Sequence, residues 1–359
     1  MTETEYSIKY PRFVFKRKLL IVALKVILKV LSRTKILGIE NVPKAGPVIL
    51  AGNHVGPVEA ALVAGASPRL TEFFAAGDLP LDPQTKFASD GYGFIPVNRG
   101  NLDRLSLRRA LDVLAQDGVL AIFPEGGTWE PTRMPAQLGV ALLSQRANAP
   151  VVPVGLSGVY QSMGKAFKLK RPKMTVRFGQ PIPPFVSEAS GQELKEALQA
   201  HADYVLKQIY ALIDPADIER FPASVNYDFA YWPTGSDEQT DGLPIEGGKD
   251  LSRMLLSDIV LESFRLNLRM PVDALYGSDK PVARSAFLKA LDSILELLAR
   301  NPGFLSYRFG HEVADRQVAA IHSLHRLLTD DGVVKVRLTS DALFRDGHHE
   351  AGGRDYRFV

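Results

Sequence analysis

Pro47-Val48-Ile49-Leu50-Ala51-Gly52-Asn53-His54-Val55-Gly56-Pro57-Val58-Glu59-Ala60-Ala61-Leu62-Val63 is the stretch from which the rest of the chain is read. Pro47 to Gly52 is a short apolar run with turn residues at both ends, which predicts a buried strand. Gly56-Pro57 followed by Val58 to Val63 predicts a helix start with Pro57 in its first position. His54 then stands at the carboxyl end of a strand and Glu59 in the first turn of a helix, where the two side chains can meet. A carboxylate bonded to one imidazole nitrogen fixes the tautomer and leaves the other nitrogen free to take a proton. This is the general-base half of a catalytic triad without its serine. The plainer reading is a histidine satisfied by its surroundings and a glutamate accepting backbone N–H bonds at a helix start. On these residues alone both stand.

Composition narrows the classes. With 359 residues, 46% of them hydrophobic, the chain has ample material for a core and room for one large domain or two. Zero cysteines exclude disulfides, cysteine-ligated metals and a cysteine nucleophile, and fit a reducing compartment. The net charge is +3, yet residues 9–35 hold nine Lys/Arg and no acid, which leaves −6 for the other positions. One end of the protein seeks negative charge.

Residues 13–31 suggest how. On a helical wheel of roughly 100° per residue, Lys18, Lys25 and Lys29 share one narrow stripe with Arg33 beside it. Leu19, Leu20, Ala23, Leu24, Val26, Ile27, Leu28, Val30 and Leu31 cover the wide remaining arc. The longest apolar run falls short of the ~18 residues of a spanning helix, and no signal-peptide core or cleavage site is present. A basic stripe beside a broad apolar face suits a helix lying in the surface of an anionic bilayer. The alternative is a helix docked on its own domain. The cluster is interleaved with aliphatic rather than stacking aromatic residues, which argues against nucleic acid.

Beyond His54, strands are expected at Glu72–Ala76, Gly93–Val97, Val119–Phe123, Pro150–Leu156 and Thr175–Phe178. Helices are expected at Leu102–Asp117, Met134–Arg146 and Gln192–Leu212. This alternation predicts an α/β domain with a central sheet covered by helices, whose ligands gather beyond the carboxyl ends of the strands. Thr234 to Asp250 reads as a linker. After it come helical patterns at Leu251–Leu268, Pro281–Arg300 and Val313–Leu328, then a strand at Val333–Leu338. His322-Ser323-Leu324-His325 and His348-His349 match no metal-ligand spacing and read as surface or tail histidines.

Three further clusters sit at expected strand ends. Gly93-Phe94-Ile95-Pro96-Val97-Asn98-Arg99-Gly100 puts an arginine after a strand. Phe123-Pro124-Glu125-Gly126-Gly127-Thr128-Trp129 follows another, and Val151-Val152-Pro153-Val154-Gly155 is an apolar strand with a proline. Taken singly, Arg99 is a surface charge, Glu125-Gly126-Gly127 a turn and Pro153 an edge residue. In this order, over residues 36–185, the four clusters resemble the glycerolipid acyltransferase family, which includes lysophosphatidate and glycerol-3-phosphate acyltransferases. The family's His-x4-Asp block is matched by His54 and Glu59, its arginine block by Arg99, and its Phe-Pro-Glu-Gly block by Phe123 to Thr128 with one additional glycine.

The resemblance implies a central mixed sheet covered by helices in an acyltransferase domain (36–219); residues 1–35 are read as a basic amphipathic membrane-surface segment, and residues 220–359, outside the resemblance, as a mainly helical carboxyl-terminal extension whose role the sequence does not give. The resemblance also implies direct acyl transfer from an acyl-CoA or acyl-carrier-protein thioester to a hydroxyl of a lipid acceptor, at the cytoplasmic side of a membrane. His54 would be the base and Glu59 its partner, Arg99 would bind acceptor phosphate, and Glu125, Gly126, Gly127 and Thr128 would shape the acceptor site, with no metal or other cofactor. The chain has no Gly-x-Ser-x-Gly elbow, Gly155-Leu156-Ser157-Gly158 being a near miss, so a base here would activate a substrate hydroxyl or water. In many relatives a basic residue follows the Gly-Thr pair, whereas Thr128 is followed by Trp129 and Glu130. A lipid-binding scaffold on the same fold, or a thioesterase using water, stays open beside the transferase.

Overall fold

The computed structural model describes residues 7–56, 58–76, 90–97, 103–128, 133–222, 224–277, 280–330, 332–345 and 348–359. Strands β1 (Arg33–Leu37), β2 (Val48–Gly52), β3 (Thr71–Ala76), β4 (Ile95–Val97), β5 (Val119–Ile122), β6 (Val151–Ser157) and β7 (Lys173–Phe178) form one sheet in the order β1-β7-β6-β2-β5-β3-β4. β6, β2, β5, β3 and β4 run parallel. β7 pairs antiparallel with β6, and β1 parallel with β7. The sheet is mixed, as expected. Every residue of β2 and β6 is buried, as befits apolar strands covered on both faces.

The helices of this unit are α1 (Val14–Leu31), α2 (Glu59–Ala66), α3 (Arg104–Ala115), α4 (Gly139–Ala147), α5 (Ser162–Phe167), α6 (Gly191–Tyr210) and α7 (Pro215–Glu219). Asp103 caps α3, its carboxylate accepting from the amides of Leu105 at 3.1 Å and Ser106 at 3.0 Å. The helix expected from Met134 begins only at Gly139. Pro135 disfavours helical backbone at Met134, and the Gln137 amide donates to the Pro124 carbonyl at 2.7 Å, tying this segment to the Phe123–Thr128 loop.

Helix α1 docks on its own domain along one face and leaves apolar residues exposed along another. Leu20, Ile21 and Leu28 pack on the core, and Leu24 and Leu28 approach α2 where Gly65 has no side chain. Leu19, Val22, Val26, Ile27 and Val30 are each more than half exposed, and Lys18, Lys25 and Lys29 are exposed as well. Arg17 departs from the basic stripe. It is fully buried, its guanidinium forming an ion pair with the buried Glu72 of β3 and donating to the carbonyls of Tyr92 and Gly93, both at 2.8 Å. Arg12 reaches the same carboxylate at 2.9 Å from a more exposed position.

Breaking a buried pair by removing one partner costs about 3–5 kcal/mol, and an exposed pair about 0–1 kcal/mol. Arg17→Ala is therefore expected to lower unfolding free energy in denaturant by about 3 kcal/mol, and Arg12→Ala by about 1 kcal/mol or less. Equal losses would contradict the assignment of Arg17 as the buried anchor of α1.

The extension is mainly helical, as expected, but also holds a sheet of which the sequence reading identified a single strand. β8 (Tyr227–Pro233), β9 (Val333–Arg345) and β10 (His348–Arg357) pair antiparallel in the order β10-β9-β8. With them go α8 (Gly248–Leu255), α9 (Asp258–Glu262), α10 (Arg284–Arg300), α11 (Gly303–Phe309) and α12 (His311–Thr329). Residues 251–268, expected as one helix, divide into α8, α9 and a π-helical turn at Ser263–Asn267. Ser257 caps α9 at the break. The extension has its own buried cluster around Leu251, Phe287, Ile321 and Tyr356. His325 pairs with Asp292 at 2.9 Å.

Candidate active site

At the β2–α2 junction the strand ends at Gly52 and the helix begins at Glu59 with Val58 as its N-cap, two residues later than the start expected at Pro57. Asn53 is buried and holds both backbone polar groups of Leu156. Its Nδ2 donates to the Leu156 carbonyl at 3.1 Å, and its Oδ1 accepts from the Leu156 amide at 2.8 Å. That double bond to β6 fixes the chain one residue before His54. The His54 ring stacks on Phe123 with centroids 4.5 Å apart and planes inclined by 20°. Its side chain keeps 27% exposure, so one edge is open to solvent.

Glu59 is fully buried and does two things. Its Oε1 accepts from the amides of Val55 at 3.0 Å and Gly56 at 2.7 Å, closing the loop between strand and helix. Its Oε2 lies 3.6 Å from His54 Nδ1. That separation is longer than a hydrogen bond, and among the described residues neither atom has a hydrogen-bond partner. The backbone-acceptor reading of Glu59 is thus correct for one oxygen, and the other faces the imidazole. Pro57 lies outside the described residues.

Glu125, expected to help shape the acceptor site, is held by partners within the chain. It is fully buried, with Oε2 accepting from the His54 amide at 2.9 Å and Oε1 from the Tyr210 hydroxyl at 2.9 Å. Burial first, and then the neighbouring Glu125 charge, raises Tyr210 well above the usual phenol range, so it stays a neutral donor. Gly126 has φ +71°, a left-handed turn closed by its own amide to the Phe123 carbonyl at 3.0 Å. Gly127 is buried and Thr128 half-buried. The Thr128 carbonyl accepts from Arg308 of α11 at 3.4 Å, bringing the extension to the rim of this loop. β4 is present, whereas Arg99, which follows it, lies outside the described residues, as do Trp129 and Glu130.

The structure therefore brings His54, Glu59 and Glu125 together. It adds Asn53, Phe123 and Tyr210, to which the sequence reading assigned no role. Tyr210 lies 85 positions from Glu125 and carries no local signal. Asn53, directly before the histidine, was the more readable of the three. A small recess lined by Asn53, Val55, Leu156, Val159, Tyr160 and Phe221 among others lies beside the same loop. Among the described residues no helix is long and apolar enough to cross a membrane, and no cluster of His, Asp and Glu could hold a metal ion.

Residues 33–157 match the protein-family model described as Acyltransferase. The match runs from β1 through β6 and includes His54, Glu59 and Glu125. Among solved structures, the 1-acyl-sn-glycerophosphate (LPA) acyltransferase PlsC from Thermotoga maritima is similar at 21% identity, over 56% of this chain and 85% of that one, with a TM-score of 0.40. No match is found among curated proteins.

Proposed function

Because residues 33–157 carry an acyltransferase domain, we propose that the protein is a peripheral O-acyltransferase working at the cytoplasmic surface of a membrane. It moves a fatty acyl group from an acyl-CoA or acyl-carrier-protein thioester to a hydroxyl of a lysophospholipid, glycerol phosphate or related lipid acceptor. The observation that carries this reading is His54, open on one edge and facing the buried Glu59 carboxylate at 3.6 Å. Catalytic hydrogen bonds are often this long before substrate is bound.

With Nδ1 protonated toward Glu59, Nε2 is free to take the proton of the acceptor hydroxyl. The hydroxyl oxygen then attacks the thioester carbonyl, the carbon–sulfur bond breaks, and the thiolate leaves with the proton from His54. Among the described residues no serine or threonine hydroxyl bonds to His54, and the chain has no cysteine, so the nucleophile belongs to the substrate. Asn53 and Glu125 hold the backbone up to the amide of the base and Glu59 holds the two amides after it, which supplies the positioning that acyl transfer needs. Mixing the protein with acyl-CoA and lysophosphatidate should yield free CoA and diacylated lipid in equal amounts. Free CoA with free fatty acid would make it a thioesterase, and neither product would leave a binding protein.

The membrane part of the proposal rests on α1. Its exposed apolar arc from Leu19 to Val30, flanked by Lys18, Lys25 and Lys29, matches a helix that buries one face in the interface while its lysines reach anionic headgroups. Each lysine near such a surface contributes about 1 kcal/mol. The protein should sediment with vesicles containing phosphatidylserine, less so at high salt, and replacing the three lysines by glutamate should release it. Equal recovery in the supernatant with and without these vesicles would contradict the membrane role.

A further inference from the structure

The segment between β6 and β7 takes no part in the candidate site, yet it carries the most concentrated charge outside α1. Residues 163–173 hold five Lys/Arg and no acid, and all five of these side chains are exposed. Phe167 and Leu169, set between the lysines, are each 73% exposed. Leu169 also sits where the backbone favours glycine. Helix α5 ends in a Schellman turn, the Lys170 amide bonded to the Lys165 carbonyl and the Leu169 amide to the Ala166 carbonyl, each at 2.9 Å. Leu169 fills the left-handed position of that turn, with φ +54°, a conformation that is costly for any residue with a Cβ. Its backbone and its exposure both weigh against folding, so what the side chain can gain lies outside the chain.

The segment is joined to helix α1. Arg171 donates to the Lys29 carbonyl at 3.0 Å and to the Ser32 carbonyl at 3.4 Å, and the Arg33 amide donates to the Pro172 carbonyl at 2.9 Å. Its charges therefore continue the exposed basic surface of Lys25, Lys29 and Arg33. It also lies at the end of the sheet where His54 stands. β6 runs parallel to β2 and leads into it from that end, Leu156 being bonded to Asn53, and β7 returns from it antiparallel. Resting on the membrane-surface reading, we propose that residues 163–173 are a second membrane contact. Phe167 and Leu169 enter the interface of an anionic bilayer, and the lysines and Arg171 hold its headgroups. Two contacts fix an orientation that one helix leaves free to roll, and they turn the His54 end of the sheet toward the lipid. A second copy of this chain would set like charges against each other on this surface, and nucleic acid calls for stacking aromatics where there is a lone phenylalanine.

The test uses the full chain, which has no cysteine, so a single introduced cysteine with an environment-sensitive fluorophore reports on one position. Phe167→Cys, Val26→Cys on the exposed arc of α1, and Lys195→Cys are each mixed with vesicles containing phosphatidylserine. Lys195 is exposed and lies about four turns along α6 from Tyr210, away from the site. The labels at 167 and 26 should shift to the blue and become shielded from a water-soluble quencher, and the label at 195 should not. A shift at 26 without one at 167 overturns the proposal and leaves the membrane role of α1 standing. No shift at either position overturns both, and an equal shift at all three is general adsorption, which overturns the proposal as well. Leu169→Gly moves stability and binding in opposite directions. Glycine suits the left-handed turn, so the thermal transition should hold or rise while the apparent dissociation constant for vesicles rises about 10-fold. Replacing Lys165, Lys168 and Lys170 by glutamate should weaken binding at least about 100-fold at low salt, and less at high salt. Binding within about 2-fold of wild type in both variants would also overturn the proposal.

Discussion

His54→Ala is expected to abolish acyl transfer in a protein that still folds. General-base catalysis contributes typically ~10²–10⁴-fold, so turnover should fall by at least that order. The cost in stability is small for an identifiable reason. The side chain is partly exposed and its main contact is the stack on Phe123, worth about 0.5–1.5 kcal/mol. The backbone of the loop is held independently, by Glu125 at the His54 amide and by Asn53 at Leu156. Alanine keeps both attachments. Turnover within about 3-fold of wild type would remove His54 from the chemistry, and a collapse of the thermal transition would make it a structural residue.

Glu59→Gln is expected to lower turnover on the order of 10²–10⁴-fold, again with a modest stability change. The amide oxygen can keep the Val55 and Gly56 bonds that Oε1 now makes. The amide nitrogen then occupies the place of Oε2, facing His54 Nδ1. An N–H there makes Nδ1 an acceptor and moves the ring proton to Nε2, which is the atom that must take the substrate proton. The base is blocked by its own tautomer, and the imidazolium loses its counter-charge. Trading a charged for a neutral acceptor at two buried amides costs about 1–2 kcal/mol. Glu59→Asp keeps the charge but has one methylene less with which to reach both the amides and the ring, so it should retain more activity than Glu59→Gln and less than wild type. Wild-type turnover in Glu59→Gln, measured with melting temperature, would reduce Glu59 to a loop-closing acceptor.

The β2–His54–α2 unit was readable because everything that builds it is local: an apolar run, a turn, and a carboxylate five positions after the histidine. What escaped is what depends on distant partners. Arg17 looks like one more base in a basic segment, yet it lies about 100° from Lys18 on the wheel, on the face of Leu20, Leu24 and Leu28. Its burial is explained by partners far along the chain, Glu72 at 55 positions and the carbonyls of Tyr92 and Gly93. Glu125 was read, through the family resemblance, as shaping the acceptor site; that its carboxylate holds Tyr210 and the amide of the base depends on a tyrosine 85 positions away. In the extension, β10 runs through His348-His349-Glu350-Ala351-Gly352-Gly353-Arg354-Asp355, residues of low strand propensity. Pairing along β9 makes it a strand. The buried residues of β8, Phe229 and Trp232, stand three positions apart, so no alternation marks that strand.

The central claim is that the acceptor hydroxyl, deprotonated by His54, attacks the thioester directly. Its most direct test is CoA release and intact protein mass after mixing purified protein with acyl-CoA, first without acceptor and then with lysophosphatidate. The account predicts no stoichiometric burst of CoA and an unchanged protein mass until the acceptor is added, followed by continuous release. A burst of one CoA per protein without acceptor, with the protein heavier by one acyl chain, would contradict it.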